Sequence, residues 1–185
     1  MRSPTLGAAV IGAMLAAAGS SGGAAAADAE DTLYLDLADG RVIIEMRPEL
    51  APQHVARIRE LAREGFYDGL TFHRVIDGFM AQTGDPRGDG TGGSGQKLAA
   101  EFSRAPFVRG TVGMARAQDP NSADSQFFIM LAPAPHLNGQ YTVWGRVVEG
   151  MQHVDAIRKG DPRSNGVVDN PDRIVRMQVA ADADG

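Results

Sequence analysis

The chain has 185 residues, of which 43% are hydrophobic, so it is long enough for one domain with a continuous core and too short for two ordinary domains. It contains no cysteine, which excludes disulfides, thiolate nucleophiles and cysteine-ligated metals. The formal net charge is -5 and no run of one sign occurs, so we expect neither nucleic acid nor an anionic membrane surface as a partner.

The first residues have the three-part order of a secretory signal peptide. Arg2 comes first, an apolar stretch follows at 6–18, and small residues end at Ala27. The apolar stretch is short for a bilayer span, and no cysteine follows it for lipid attachment, so we expect no stable membrane anchor. We therefore predict a signal peptide at 1–27, cleaved after Ala27 or Ala29, and a secreted, periplasmic protein. A disordered leader rich in alanine and glycine is the alternative.

Residues 28–185 are predicted to form one mainly β domain. Leucines alternate with other residues over 33–37, the turn Asp39-Gly40 follows, and a second strand is expected at 41–46. Apolar residues at helical spacing predict a helix over 53–64, which ends before Gly65. Further strands are predicted at 71–75, 79–83, 111–115, 125–130, 142–148 and 174–180, and a short helix at 151–158. Many short strands with two helices indicate an antiparallel barrel or a sandwich.

The segment 84–95 contains six glycines and formally matches a dinucleotide-binding fingerprint. That fingerprint requires a hydrophobic strand directly before it and a helix directly after it, and neither is predicted here. We therefore expect a flexible surface loop. The four histidines lie far apart in the sequence, so no local metal motif exists, and Ser94 and Ser125 lack the context of a catalytic nucleophile.

One segment combines large apolar residues with an arginine and a glutamine. Phe72-His73-Arg74 is followed by Gly78-Phe79-Met80, with Gln82 two residues further on. Arg74 stands among apolar neighbours. It either points to solvent or lies beside an apolar surface with its donors aimed at a ligand, and the pattern alone leaves both readings open.

This segment resembles the signature of the cyclophilin family, and two later blocks agree in order and spacing. The second block is GTVGMAR at 110–116 with NSADSQFFI at 121–129, and the third is LNGQYTVWGRV at 137–147. The resemblance, closest to secreted bacterial members, implies a closed eight-stranded antiparallel barrel capped by two helices. It implies a peptidyl-prolyl cis/trans isomerase without cofactor or metal. Its partners would be proline-containing peptides and unfolded or partly folded polypeptides, and we expect a monomer.

The resemblance also assigns roles to individual residues. Arg74 would be the catalytic residue, and Gln82 would bind substrate backbone and help to hold Arg74. The proline pocket would be formed by Phe79, Met80, Phe128 and Leu137. The other substrate-binding positions implied are His73, Ala115, Arg116, Ala117, Gln126 and Tyr141.

Three positions differ from many eukaryotic members. His136 stands where they have a tryptophan, Tyr141 where they often have a histidine, and Arg116 where asparagine is common. All three flank the pocket. We therefore expect weak binding of cyclosporin but no loss of isomerase activity.

Three other functions are compatible with parts of this sequence. A non-catalytic module could bind proline peptides without accelerating rotation, and a general extracytoplasmic chaperone could hold unfolded chains. A ligand-carrying barrel would need a hollow interior. The residues predicted to point inward argue for a filled one: Val42, Ile44, Phe72, Val112, Ile129 and Val143.

Overall fold

The computed structural model describes Met1 and residues 29–183. The predicted signal peptide and its cleavage after Ala27 lie outside the described residues, apart from Met1. The strands are β1 Thr32–Leu37, β2 Gly40–Met46, β3 Arg74–Ile76, β4 Met80–Thr83, β5 Thr111–Met114, β6 Phe127–Met130, β7 Val143–Glu149 and β8 Arg176–Val179. The helices are α1 Pro52–Arg63 and α2 Met151–Ala156.

All eight strands belong to one antiparallel sheet, in the order β3-β4-β6-β5-β7-β2-β1-β8. The prediction of eight antiparallel strands with two helices is therefore confirmed. The sheet is curled, with β3 and β8 at its two ends. Within the described chain no ladder joins these strands, and the segments beside them meet through single bonds instead. Phe72 donates its N–H to the Asp172 carbonyl and Ile174 donates to the Leu70 carbonyl, both at 2.9 Å.

The boundaries of several elements are narrower than predicted. The strand expected at 71–75 is reduced to β3, because Thr71 makes only an isolated bridge to Arg173. The second helix ends at Ala156, since the following Ile157 has the extended backbone angles φ -55° and ψ 134°. These ends depend on hydrogen-bond partners distant in the chain or on backbone angles, which a local sequence pattern does not encode.

The interior of the curled sheet is filled by apolar side chains. Because successive strand residues point to opposite faces, Leu33 and Leu35 on β1 enter the same core as Val42 and Ile44 on β2. Trp144 is fully buried there. A filled interior leaves no room for the ligand of a carrier barrel, so that alternative is excluded.

Val143 was predicted to point into this core, and that prediction is wrong. It belongs to a second apolar cluster, separate from the one that contains Trp144. The register of β5 with β7 shifts between Val112 and Gly113, as at a β-bulge, so that Gly113 pairs with Val143. Since neighbouring strand residues face opposite sides, burying Trp144 in the interior turns Val143 to the outer side.

Helix α1 packs one side against the interior through five buried residues, His54, Val55, Ile58, Leu61 and Ala62. It begins at Pro52, where a missing N–H costs no helical hydrogen bond. The carboxylate of Glu101 accepts the free N–H groups of Gln53 (3.1 Å) and His54 (3.0 Å). The helix start is therefore capped by a residue far away in sequence. No helix within residues 29–183 is long and apolar enough to cross a membrane.

The glycine-rich segment has a defined path. The buried carboxylate of Asp85 accepts main-chain N–H groups from Arg87 (2.8 Å), Asp89 (3.1 Å) and Gly90 (2.6 Å). The next element after this segment is the strand β5, whereas the dinucleotide-binding fingerprint requires a helix directly after its glycines. We expected a flexible loop from the sequence, because these hydrogen bonds depend on the burial of Asp85, which the sequence does not show.

Candidate active site

The second apolar cluster forms the floor of an open cleft on the outer face of the sheet. Its buried members are Met80, Phe107, Phe128, Met130, Ala134, Leu137 and Val143. Phe107 stacks on Phe128 at 5.8 Å, and Tyr141 meets the Phe128 ring edge-on at 5.9 Å. A Cβ on Gly113 would lie 2.6 Å from Phe107 and 2.8 Å from Phe128, so these rings require glycine at this position.

The cleft has a volume of about 590 Å³. It is lined by His73, Arg74, Phe79, Met80, Gln82, Gly88, Asp89, Gly90, Ala115, Arg116, Phe128, His136, Leu137, Tyr141, Asn165 and Val167. Ten of the twelve residues predicted from the sequence are in this set. The other two, Ala117 and Gln126, line a smaller cleft of about 280 Å³ that shares Arg116 with the first.

Arg74 is held at the wall of the larger cleft by neutral groups. On β3 it pairs with Gln82 on β4, and its Nη1 donates to Gln82 Oε1 at 3.1 Å. Its Nε donates to the Asn165 carbonyl at 3.0 Å, and Nη2 donates to Asn165 Oδ1 at 2.9 Å. Burial lowers the pKa of Arg74, but from a value so high that the guanidinium stays protonated at neutral pH. A fixed positive donor therefore stands beside an apolar pocket.

Asn165 was not predicted from the sequence. It follows a short 3-10 helix at Pro162–Ser164 and adopts the left-handed region at φ 54°. In this conformation its main-chain and side-chain oxygens both bind one guanidinium. Ser-Asn-Gly at 164–166 is a recognisable turn sequence, but the contact with Arg74 crosses 91 positions and left no local pattern.

A chain of side-chain amides continues from Arg74 to the glycine-rich loop. Gln82 Nε2 donates to Gln126 Oε1 at 2.9 Å. Gln126 Nε2 then donates to the carbonyls of Gly90 (3.1 Å) and Gly92 (2.8 Å). The orientations of both amides are set by these bonds, and the loop that borders both clefts is linked to the arginine.

The two histidines of the cleft differ from each other. His73 is buried, and neither ring nitrogen has a partner among the described residues. Burial lowers its pKa, and this outweighs the opposing effect of Asp85, so its ring is neutral at pH 7. His136 lies against Phe79, with ring centroids 5.8 Å apart. His136, which the sequence marked only as a difference from many eukaryotic cyclophilins, forms part of the cleft wall.

Arg116 lines the cleft beside Tyr141. Its guanidinium lies 4.4 Å from the centre of the Tyr141 ring and donates to the Gln140 carbonyl (2.8 Å) and the Ala117 carbonyl (2.9 Å). Residues 29–183 contain no group of three or more histidine, aspartate or glutamate side chains that could hold a metal. The chemistry open to this cleft is binding and polarisation of a ligand that combines an apolar ring with polar backbone.

The curled eight-stranded antiparallel sheet with two helices and an open outer cleft places the chain among mainly β proteins. The family model for the cyclophilin type peptidyl-prolyl cis-trans isomerase matches residues 32–179. The chain belongs to this family and is a peptidyl-prolyl cis-trans isomerase, as the sequence motifs predicted.

Relatives and solved structures agree. A probable peptidyl-prolyl cis-trans isomerase of Brucella suis is 58% identical over 171 residues, covering 86% of this chain and 87% of the relative. Peptidyl-prolyl cis-trans isomerase B of Bacillus subtilis is 47% identical, covering 70% and 92%. The crystal structure of the cyclophilin AquaCyp293 from Hirschia baltica superposes with a TM-score of 0.75 at 29% identity, covering 84% and 76%. A Cryptosporidium parvum cyclophilin-type isomerase, crystallised in the presence of the dipeptide Ala-Pro, gives 0.72 at 27%, covering 80% and 98%.

Proposed function

We propose that Arg74 is the catalytic residue and that the larger cleft binds the proline of an Xaa-Pro bond in a polypeptide. The observation that carries this is the fixed guanidinium of Arg74, which is held only by Gln82 and Asn165 at the edge of the apolar floor. No carboxylate within residues 29–183 pairs with it. Its charge is therefore available to a ligand.

The reaction has a barrier because the amide nitrogen shares its lone pair with the carbonyl, and rotation costs about 18–20 kcal/mol. In the twisted transition state this sharing is lost, and the prolyl nitrogen recovers its lone pair. A donor held where that lone pair develops binds the twisted state better than either planar isomer, and this difference lowers the barrier. Arg74 supplies that donor without changing its protonation state.

The neighbouring residues would bind the proline ring on one side of the Xaa-Pro bond and the flanking peptide on the other. Phe79, Met80, Phe128 and Leu137 would enclose the proline ring, since all four lie in the apolar part of the cleft. The flanking peptide would lie along Gln82, Ala115, Arg116 and Ala117, with His73, Gln126 and Tyr141 completing its surroundings. Because His73 is buried and neutral, we assign it a supporting role rather than proton transfer.

Extracytoplasmic folding assistance is part of the same proposal. The sequence of residues 1–27 supports secretion across the inner membrane to the periplasm, and the absence of cysteine after it supports a protein without a lipid anchor. The clients would be unfolded or partly folded chains containing proline. We propose that the protein is a monomer. We also propose that its sheet forms a closed barrel, since main-chain hydrogen bonds such as Phe72 N–H to Asp172 O link the two ends of the sheet.

The decisive experiment measures cis-to-trans exchange of a short Ala-Pro-Phe peptide with wild-type protein and two variants. Arg74→Ala should lower kcat/KM by about 10²–10³, because one preorganised charged hydrogen bond in such a site contributes about 3–4 kcal/mol. Arg146→Ala is the control, since Arg146 is exposed on β7 and pairs with Glu45 outside the clefts. It should retain full activity.

Three outcomes would contradict the proposal in different ways. A loss of less than about threefold in Arg74→Ala would remove Arg74 from the mechanism. Peptide binding by folded wild-type protein without any acceleration would favour a binding module. If an inactive Arg74→Ala variant still suppressed the aggregation of unfolded proteins as wild type does, a general chaperone role would stand apart from isomerisation.

A further inference from the structure

The smaller cleft adjoins the proposed proline site and has a different character. The two clefts share Gln82, Gly90, Ala115 and Arg116. The smaller one is otherwise lined by Thr91, Gly92, Gly93, Lys97, Ala117, Ser122, Asp124 and Gln126, without a large apolar side chain. A peptide with its proline in the larger cleft therefore has a polar pocket within reach of the neighbouring residues.

The acidic side chain of the smaller cleft, Asp124, is bound by neutral groups of the glycine-rich loop. The Asp124 carboxylate accepts the N–H and the hydroxyl of Ser94, both at 2.6 Å, and the N–H of Gly95 at 3.0 Å. These three hydrogen bonds hold the glycine-rich loop to the segment that precedes β6. Lys97 is exposed on the rim of the same cleft, and within the described chain its ammonium makes no ion pair or hydrogen bond.

Arg116 adds a second cation at the junction of the clefts. Its guanidinium donates only to main-chain carbonyls, those of Ala117, Gln118 and Gln140, and lies over the Tyr141 ring. None of these groups neutralises its charge. Asp89, the carboxylate of the larger cleft, accepts from the N–H and hydroxyl of Thr91 and is likewise engaged within the loop.

Most other arginines of the described chain do have carboxylate partners, namely Arg41, Arg47, Arg57, Arg59, Arg63, Arg109, Arg146 and Arg163. The cations that line the clefts, Arg74, Arg116 and Lys97, have none. The smaller cleft thus carries two cations, Lys97 and Arg116, against one carboxylate, Asp124, and this excess of positive charge attracts negative side chains of a substrate.

We propose that Lys97, together with Arg116, selects polypeptide substrates that carry an acidic side chain close to the proline. This inference rests on the proposed function, since it names the substrate class of the same site. The carboxylate of the substrate would lie in the smaller cleft between the two cations. Partly exposed ion pairs of this kind are weak, so we expect the two cations together to favour glutamate over glutamine by only about threefold to tenfold in kcat/KM.

The test uses short Ala-Pro peptides in which one residue at a time, on either side of the dipeptide, is alanine, glutamine, glutamate or lysine. Exchange is measured by NMR at low and at high salt with the full chain. We expect one position at which glutamate exceeds glutamine by about threefold to tenfold, with lysine poorest, and a smaller difference at high salt. In Lys97→Gln the glutamate-to-glutamine ratio at that position should fall at least twofold.

Lys159→Gln is the matched control, because Lys97 and Lys159 are the two lysines of the chain and Lys159 lines neither cleft. Its ratio should equal that of wild type. Equal rates for glutamate and glutamine at every position would overturn the inference, and so would a preference that survives Lys97→Gln unchanged. The proposed function is tested separately by the all-alanine peptide. If its cis-to-trans exchange is accelerated, the proposed function stands whatever the glutamate-to-glutamine ratio. If its exchange is not accelerated, the proposed function itself has failed.

Discussion

At the scale of single residues, the function depends on how the guanidinium of Arg74 is held. An arginine side chain has several freely rotating bonds, so immobilising it in the substrate complex would cost entropy. Gln82 and Asn165 hold Arg74 in place before a substrate arrives, through three hydrogen bonds of 2.9–3.1 Å. Neither partner carries a charge. The arginine is thereby oriented without being neutralised, which a carboxylate partner would not allow.

Replacing Asn165 by glycine tests this orientation. Asn165→Gly removes the side-chain acceptor but retains the carbonyl and tolerates the φ of 54°. We expect kcat/KM to fall about fivefold to tenfold, mainly through kcat, because the loss of about 1 kcal/mol of positioning acts on the transition state. The measurement is peptide exchange together with urea unfolding.

Asn170→Gly is the control for this variant. Asn170 is the other non-glycine residue with positive φ in the described chain, at 51°, and it lines neither cleft. Its activity should match that of wild type. Equal losses in the two variants, or a loss in Asn165→Gly accompanied by a large fall in stability, would show that Asn165 supports the fold rather than Arg74.

At the scale of elements, the glycine-rich loop is shaped by two carboxylates rather than by its glycines. Asp85 binds the start of the loop and Asp124 binds its later part. Gln126 connects the middle of the loop to Gln82 and so to the arginine. The glycines permit this close path, whereas the two carboxylates select it. The wall of both clefts is thereby a defined surface.

Asp85→Asn should loosen this loop. Asp85 is 1% exposed and uses both carboxylate oxygens to accept three N–H groups, whereas asparagine has one oxygen and would place an NH₂ against at least one donor. We expect a loss of about 1–3 kcal/mol in the free energy of unfolding and faster amide hydrogen exchange over residues 88–95.

The matched control is Asp89→Asn in the same loop. Asp89 accepts both of its bonds from Thr91 through Oδ1 alone, so an asparagine oxygen can replace it. Stability and exchange should then stay close to the wild-type values. If Asp85→Asn were as mild as Asp89→Asn, the loop would have to be held by its contacts with Gln126 and Asp124 instead.

At the scale of the whole molecule, two titratable side chains make folding depend on pH, the buried His73 and the partly buried Glu101. Burial lowers the pKa of His73, so the folded state binds this proton more weakly than the unfolded chain does. For Glu101, desolvation raises the pKa but is outweighed by hydrogen bonds from His54 and Gln53, and the net pKa is lowered. Both effects favour unfolding in acid. The His73 term begins to act below about pH 6.5 and the Glu101 term below about pH 4.3, the pKa values of the unperturbed groups.

We therefore expect the urea midpoint to fall as the pH is lowered from 7.5 to 5.5, and to fall further below pH 4.3. His73→Gln should reduce the fall of the urea midpoint between pH 7.5 and 5.5. The control is His153→Gln, which changes a side chain that packs against Gly40 and should leave that fall unchanged. Activity of the folded enzyme should stay nearly constant from about pH 6 to 8, because Arg74 does not titrate there. A bell-shaped rate profile would instead indicate a general acid or base, with His73 the first candidate.

Local patterns in the sequence were sufficient for much of this molecule. The alternation around Leu33 and Leu35 predicted a strand, the helical spacing of Val55 and Ile58 predicted α1, and three motif blocks indicated the family. All twelve predicted site residues line the two clefts. These features depend on residues close together in the chain or on motifs of ordinary spacing, and such information is present in the sequence.

Only the tertiary structure decided which distant residues meet. Asn165 reaches Arg74 across 91 positions, Glu101 caps a helix that starts near Gln53, and a shifted register turns Val143 to the outer cluster. Asp124 likewise binds Ser94 and Gly95 across 30 and 29 positions. Each case depends on long-range geometry and burial. Residue types and their periodicity describe what a segment prefers, whereas its partners are determined when the whole sheet curls and the loops close over it.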